Sequence, residues 1–289
     1  MVSGLSLITI SEYSFIDCDR LERFRIPSGV YVGFSGWETP ISGGQSLKDI
    51  EVDRHHETLY SYEHNLFRDS VLICHPAGLG GRYIVPPFCD CIGSDAFAGC
   101  TRMTEVDLSQ MKAESRIGMR AFSGCTGLTA IRLPEAVSAL GEFVFADCDN
   151  LKDIYIENDS LIFAGWGSPF GYLKQTTIHA SAGSTTDRSA RQFKFKLSLH
   201  VAMQKEIQPA AFMNRCEIVD ASIEEGTERI GKDAFFGCCN MRTITIPSSV
   251  GYIGENAFYG CSRLTMQVRE GSYAHDYAIR MGFPCRLIP

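Results

Sequence analysis

The sequence repeats a pattern with a period of 23 to 25 residues, and a fixed period constrains the fold more than any other feature of a chain. Each copy begins with Ile-Gly, continues with Ala-Phe and a cysteine, and then reads Leu-x-x-Ile-x-Ile, as in residues 117–134. The phenylalanines at positions 97, 122 and 145, and those at 235 and 258, are spaced by 25, 23 and 23 residues. Degenerate copies begin at Ile10 and Leu140. The chain is therefore expected to form a stack of equivalent units.

The residue types within one copy predict its local structure. In the Leu-x-x-Ile-x-Ile segment, alternation points Ile131 and Leu133 inward and Arg132 outward, as in a short strand. The Ile-Gly dipeptide opens a return segment in which glycine permits a tight bend, and Ala-Phe follows on a short helical or 3₁₀ turn. One copy cannot bury its apolar face alone, so only a stack is stable. The sequence predicts a single leucine-rich-repeat solenoid of the α/β class over residues 1–289, a curved right-handed stack of short strands with short helical or 3₁₀ turns.

The period is interrupted in the middle of the chain. We expect regular blocks at about residues 1–157 and 207–289, and an irregular unit or insertion at about 158–206. Within that segment, residues 165–170 and the polar run 181–189 break the pattern, although residues 176–180 could supply a strand. The pattern restarts at Ile207, with Cys216 one place late.

Half of the twelve cysteines occupy one position of the repeat. These six are Cys18, Cys100, Cys125, Cys148, Cys238 and Cys261. Free cysteine is among the most buried residue types, and neighbouring copies need no covalent link. The spacing predicts a row of buried, unpaired thiols along the stack rather than a redox or metal site.

The combination Ile-Gly-x-x-Ala-Phe-x-x-Cys followed by Leu-x-x-Ile-x-Ile-Pro-x-x-Val resembles the BspA-like leucine-rich repeats. Residues 47–78 are similar to a longer, hairpin-bearing unit of that family, and residues 270–278 are similar to its C-terminal closing segment. The resemblance implies adhesion and protein binding at the cell surface or after secretion. It implies a protein partner, such as a host extracellular-matrix or cell-surface protein.

Composition narrows the classes of partner. The formal net charge of −7 argues against nucleic acid or an anionic membrane surface, since both select basic patches. No apolar run approaches the roughly 18–20 residues that a membrane span requires. The segment Met1–Leu7 lacks the basic and long apolar regions of a signal peptide.

The outward residues of the predicted strands form the best candidate for a binding surface. We name nine of them the candidate strip: Asp49, Glu51, Asp53, Glu105, Asp107, Arg132, Asp153, Tyr155 and Glu157. Carboxylates gathered on one concave wall would focus a negative potential and favour basic partners or a divalent cation. The alternative is that these charges keep an exposed sheet soluble and prevent unwanted strand pairing.

No constellation in the sequence predicts catalysis, a cofactor or a bound metal. Cys74 and His75 are adjacent on a predicted strand, and adjacent strand residues point to opposite faces. The pair His55-His56 lies in a polar turn without a third ligand at helical spacing, and Cys89 falls on a core position of the repeat. The sequence therefore predicts a non-catalytic protein-binding module, with a passive structural spacer of a larger surface protein as the alternative.

Overall fold

The structure, a computed structural model, describes residues 8–11, 14–32, 39–165, 167–171, 173 and 175–289. Met1–Leu7 and Trp166, which entered the sequence predictions, lie outside these residues. The chain divides into two compact units, residues 1–176 and 177–289. The boundary falls inside the segment that the sequence marks as irregular.

The first unit consists of short strands. In chain order they are β1 (Ile8–Ile10), β2 (Phe15–Ile16), β3 (Arg23–Ile26), β4 (Val30–Val32), β5 (Ile41–Ser42), β6 (Asp49–Val52), β7 (Leu59–Tyr62), β8 (Asn65–Arg68), β9 (Val71–Cys74), β10 (Gly81–Ile84), β11 (Cys91–Ile92), β12 (Met103–Asp107), β13 (Ser115–Ile117), β14 (Ala130–Leu133), β15 (Val137–Leu140), β16 (Asp153–Ile156) and β17 (Ile162–Phe163).

Each copy of the repeat contributes one strand to each of two opposite sides of the stack. On one side, β3 pairs with β6, β10 with β12 and β14 with β16, all in parallel. On the other side, β9, β11, β13, β15 and β17 form one parallel sheet. In the β14–β16 pair, Ile131 lies opposite Ile154 and Leu133 opposite Ile156, so equivalent positions of successive copies are neighbours. The prediction of a leucine-rich-repeat solenoid is confirmed.

The longer unit at residues 47–78 contains a hairpin, as its resemblance to the family implies. Strands β7 and β8 pair in antiparallel fashion, and β8 continues antiparallel onto β9. The hairpin carries an aromatic cluster in which Tyr62 contacts Phe88 edge-on at 5.1 Å between ring centroids. The buried ring of Phe67 lies 5.3 Å from that of Phe88.

The second unit combines parallel strands with two helices. In chain order its elements are β18 (Thr177–Ser181), α1 (Thr185–Phe193), β19 (Lys196–Val201), β20 (Glu206–Ile207), β21 (Ile218–Ile223), β22 (Arg229–Ile230), β23 (Thr243–Ile246), β24 (Tyr252–Ile253), β25 (Thr265–Arg269), α2 (Tyr273–Met281) and β26 (Cys285–Ile288). The strands β18, β19, β21, β23, β25 and β26 are neighbours in one sheet, and β20, β22 and β24 in another.

The irregular segment is more ordered than its sequence indicates. Helix α1 begins within the polar run, and its N-cap is Ser184. The Ser184 hydroxyl accepts a 3.0 Å hydrogen bond from the amide of Asp187. An N-cap hydroxyl satisfies a helix-end amide that would otherwise lack a partner. The strand expected at residues 176–180 is present as β18.

Aromatic rings form the centre of each unit. In the first unit His75, Phe97, Phe122, Phe145 and Phe170 follow one another at centroid distances of 5.1, 4.9, 5.6 and 6.5 Å. In the second unit Phe212, Phe235 and Phe258 are spaced by 5.0 and 5.3 Å. Burial of each phenylalanine contributes roughly 1.5–3 kcal/mol by the apolar area removed from water. The histidine, which the sequence placed among ordinary strand residues, occupies the position of the repeated phenylalanine.

The predicted row of cysteines is present, with an added role for the thiols. Cys125 and Cys148 donate to the carbonyls of Phe97 and Phe122, at 3.1 and 3.0 Å. Cys238 and Cys261 make the same bond to the phenylalanine carbonyl of the preceding copy. We call these buried residues, together with Cys100, the cysteine ladder. Each phenylalanine carbonyl also accepts a backbone amide of its own copy, so the thiol adds a second hydrogen bond that links neighbouring copies.

Two cysteine positions differ from the prediction. Cys18 is half-buried rather than buried, because the strands of its copy pair on one side only within the described residues. Cys216 is not a displaced ladder residue, since Arg215 occupies that position and donates its amide to Phe212 as Cys238 does to Phe235. Cys216 instead forms a disulfide with Cys239, with 5.2 Å between their Cα atoms. The other ten cysteines are free.

The turn before the repeated phenylalanine has a left-handed backbone in six copies. The residues at this position have φ between 53° and 56°, and they are Asp95, Arg120, Phe143, Ala210, Asp233 and Asn256. The glycine of the Ile-Gly dipeptide was expected to permit a tight bend, but the structure gives a different reason for it. A Cβ on Gly141 would lie 2.5 Å from the backbone nitrogen of Met119, so glycine allows successive copies to approach. These return segments are hydrogen-bonded turns rather than helices.

Candidate functional site

The candidate strip lies on the outward side of the repeat strands of the first unit. Asp49 and Glu51 are on β6, Glu105 and Asp107 on β12, Arg132 on β14, and Asp153 and Tyr155 on β16, while Asp53 and Glu157 follow their strands directly. None of the nine is buried, and all except Asp53 have a buried residue next to them in sequence. The burial of the other eight thus follows the period-2 alternation of the repeat.

Part of the strip borders a groove of about 520 Å³ over β12, β14 and β16. Five strip residues line it: Glu105, Asp107, Arg132, Tyr155 and Glu157. The remaining four, Asp49, Glu51, Asp53 and Asp153, are not part of its lining. The structure thus brings together the second half of the strip, and this groove is the candidate functional site.

One residue of the site was missed by the sequence analysis. Arg82 on β10 lies beside β12, with its Nε 3.0 Å from Glu105 and its Nη2 2.7 Å from Asp107. Hydrogen bonds from Ser109, and then the Arg82 guanidinium, lower the pKa of the Asp107 carboxyl, which is ionised at neutral pH. The signal in the sequence was Pro86, which follows this strand as a proline follows others of the repeat.

The second charged group of the groove is centred on Arg132. Its Nη1 lies 2.7 Å from Glu157, and its guanidinium carbon lies 4.8 Å from the centre of the Tyr155 ring. A guanidinium over an aromatic face combines an ion pair with a cation–π contact. The groove therefore presents one aromatic ring beside the Arg132–Glu157 pair, with the Arg82–Glu105–Asp107 group farther along it.

The negative potential expected from the strip is offset locally by basic residues. Arg23 and Arg25 of β3 lie opposite Asp49 and Glu51 in the parallel register, and His64 contacts Asp49 at 2.9 Å. Together with Arg82 and Arg132, they place a basic side chain beside most of the acidic ones. In the part of the chain that the structure describes, no group of three or more His, Cys, Asp or Glu side chains could hold a metal ion.

The Cys74–His75 pair and Cys89, which the sequence offered as candidates for chemistry, lie in the core. Cys74 and His75 are buried, and burial raises the pKa of Cys74 to about 12 and lowers that of His75 to about 4. The His75 Nδ1 lies 2.6 Å from the Asn65 side-chain oxygen, and the Cys74 thiol donates to the Ile41 carbonyl at 3.3 Å. A thiol with a raised pKa and no solvent access is a poor nucleophile. Burial likewise raises the pKa of Cys89 to about 11.

Within the described residues, no helix has both the length and the apolar character needed to cross a bilayer. The parallel strands, the repeated turns and the exposed strand face define a leucine-rich-repeat protein. The family comparison makes the assignment specific. Six copies of the BspA type leucine-rich repeat region match residues 84–171 and 205–275, more than half of the chain. The chain belongs to this family.

Solved structures of bacterial leucine-rich-repeat proteins are similar to the chain in part. A protein from Eubacterium ventriosum shares 20% identity over 83% of this chain and 58% of its own, with a TM-score of 0.45. The pneumococcal vaccine antigen PcpA shares 16% identity over 100% of this chain and 61% of its own, with a TM-score of 0.48. A protein from Bacteroides ovatus shares 17% identity over 98% and 88%, with a TM-score of 0.35. The chain thus spans less than two thirds of the length of the first two, and no curated protein matches it.

Proposed function

We propose that this chain is a non-catalytic adhesion module, exposed at the cell surface or secreted, that binds a protein partner through the groove over β12, β14 and β16. The observation that carries the proposal is the composition of this groove. Arg132 on β14 contacts the Tyr155 ring and Glu157 at the β16 end of the groove, and the Arg82–Glu105–Asp107 group lies at the β12 end. Tyrosine and arginine are the residue types enriched at the energetic centres of protein interfaces.

The charge arrangement indicates the chemistry of the partner surface. Because each carboxylate of the groove already has an arginine beside it, the site offers donors and acceptors in alternation rather than a uniform negative charge. A partner segment with both acidic and basic side chains would exchange pairs with Arg82 and Arg132 at little desolvation cost. Such charge complementarity sets the register and the partner choice more than the total affinity.

Two observations support a location outside the cytoplasm. The first is membership of the BspA type family, which implies surface or secreted proteins. The second is the disulfide between Cys216 and Cys239, which includes an exposed cysteine. Disulfides persist in oxidising compartments and are rare where thiols are kept reduced. The ten free cysteines are compatible with this location because nine of them are buried or half-buried, and burial protects a thiol from oxidation.

The experiment measures capture of purified host extracellular-matrix proteins by the immobilised chain. Tyr155→Ala and the pair Glu105→Lys with Asp107→Lys are compared with Glu255→Lys, a matched control that reverses an exposed carboxylate paired with Lys232 in the second unit. We expect the groove variants to weaken capture at least about tenfold and the control to leave it unchanged. Reversal of Asp49, Glu51 and Asp107 together tests the whole candidate strip.

The alternative function, a passive spacer of a larger surface protein, gives a different result. A spacer captures no member of the panel, or captures it equally well in all variants. Capture that survives both groove variants but is lost in the Asp49, Glu51 and Asp107 triple variant would move the site toward β6. Circular dichroism of each variant establishes that the loss is not one of folding.

A further inference from the structure

The disulfide of the second unit joins the two positions that directly follow the ladder position in successive copies. Cys216 follows Arg215, Cys239 follows Cys238, and the two cysteines are 23 residues apart in sequence. Cys239 is exposed and Cys216 is half-buried. Cys239 is therefore the more accessible of the two residues to a reductant in solution.

Cys216 lies in sequence between Arg215 and Glu217, which belong to one group of ion pairs centred on Arg215. Arg215, with 7% of its side chain exposed, places Nη1 2.5 Å from Asp187 and Nε 2.6 Å from Glu217. Its Nη2 also donates to the Asp187 carbonyl at 3.3 Å. Asp187 is in the first turn of α1, and its Oδ2 accepts the Gly183 amide at 2.8 Å. The segment that the disulfide holds thus carries the cation that fastens α1.

Helix α1 buries little apolar surface of its own. Its nine residues, Thr185–Phe193, are mostly polar, and Ala190 is the buried apolar residue among those whose side chains are described. A helix of this length is marginal in water without tertiary packing. A groove of about 500 Å³ lies beside it, lined by Ala190 and Lys194 on one side and by Met213, Cys216 and Asn240 on the other. The groove gives this edge of the helix room to move.

We propose that the Cys216–Cys239 disulfide is a thiol–disulfide exchange site that latches helix α1. A thiolate of a dithiol reductant attacks the exposed Cys239 sulfur, forms a mixed disulfide, and releases Cys216 as a thiolate that takes up a proton. The second thiol of the reductant then attacks the mixed disulfide, which frees the Cys239 thiol and leaves the reductant as a cyclic disulfide. Two electrons and two protons pass to the protein. The Arg215 segment then loses its covalent tie to the next copy, and α1 opens more often.

The test is amide hydrogen exchange of the full chain, followed by mass spectrometry, before and after treatment with dithiothreitol. We expect exchange in residues 183–193 to accelerate at least tenfold on reduction, and exchange in β23 and β25 to stay unchanged. Cys239→Ser should show the fast exchange without reductant and no further response to it. The matched control Cys285→Ser removes an exposed free cysteine and should behave as the unmodified chain does.

Three results would overturn the proposal. They are unchanged exchange in α1 after verified reduction, an equal acceleration throughout the second unit, and twelve reactive thiols in the denatured, unreduced protein. Arg215→Met provides a second check, because it should free α1 while the disulfide stays intact. Slow exchange in α1 of a folded Arg215→Met variant would also refute the latch.

Discussion

The buried histidine of the first unit makes stability depend on pH. His75 is 5% exposed, packs against the rings of Tyr83 and Phe97, and has a pKa lowered to about 4 by burial, against 6.5 for an exposed histidine. The unfolded chain therefore takes up a proton below pH 6.5 that the folded chain refuses until about pH 4. Stability is complete above pH 6.5 and falls as the pH drops through this window.

The magnitude follows from the width of the window. Each unit of pKa difference corresponds to about 1.4 kcal/mol, so the window from 6.5 to about 4 is worth roughly 3 kcal/mol. Most of this, about 2.5 kcal/mol, should be lost between pH 7.5 and pH 4.5. Because a typical domain is stable by only about 5–15 kcal/mol, a loss of this size is readily measured.

The assay is urea unfolding followed by far-UV circular dichroism at pH 7.5 and pH 4.5. His75→Phe extends the phenylalanine stack and cannot titrate, although it leaves the Asn65 oxygen without this donor and so lowers stability at both pH values. In this variant the free energy of unfolding should change less between the two pH values than it does in the unmodified chain, by about 2.5 kcal/mol. His55→Gln, at an exposed histidine, should keep the full difference. An equal pH difference in the unmodified chain and in His75→Phe would refute the reasoning.

Four further outcomes are expected. Phe122→Ala, in the middle of the first ring stack, should lower the free energy of unfolding by about 3–5 kcal/mol, and a loss below about 1 kcal/mol in urea titrations would contradict close packing there. Arg215→Met should cost about 3–5 kcal/mol because it strands two buried carboxylates, and addition of Asp187→Asn and Glu217→Gln should restore part of that loss; no recovery would argue against the ion pairs. Ala210→Asn, at the left-handed turn position, should raise thermal stability by roughly 0.5–1 kcal/mol, since asparagine tolerates this conformation better than alanine. Thiol titration of the denatured protein should find ten reactive groups before reduction and twelve after it, and fewer than ten would mean additional disulfides.

The repeat was readable from the sequence because each of its positions has one physical requirement. Alternation in the strands gave the outward face of eight of the nine strip residues, and the spacing of phenylalanine and cysteine gave the core. Arg82 was not predicted as a site residue because its copy departs from Leu-x-x-Ile-x-Ile. Only the proline that follows, Pro86, marks its strand. Its ion pairs with Glu105 and Asp107 then changed the charge of the site.

The features of the second unit that the sequence did not predict involve contacts between distant residues. Nothing in a polar run indicates that Asp187 will meet an arginine 28 positions later, and the one-place displacement of Cys216 gave no hint that Arg215 replaces a thiol. The disulfide was equally hidden, because two cysteines one period apart fit a row of free thiols as well as a bridge. Periodicity specifies which positions are equivalent, and it leaves open what an exceptional residue does at one of them.

The cysteine ladder restricts how chains of this type can change in length. Each thiol bonds the phenylalanine carbonyl of the copy before it, so a copy supplies a donor to its predecessor and receives one from its successor. Removal or duplication of a whole copy joins a matching donor to a matching acceptor at the new junction. A partial deletion removes the thiol hydrogen bond between copies and breaks the ring stack, and the lost packing is the larger cost because the carbonyl keeps its backbone donor. Viable insertions and deletions in such genes should therefore come in multiples of one period, and the number of copies should vary among natural variants more freely than the length of any single copy.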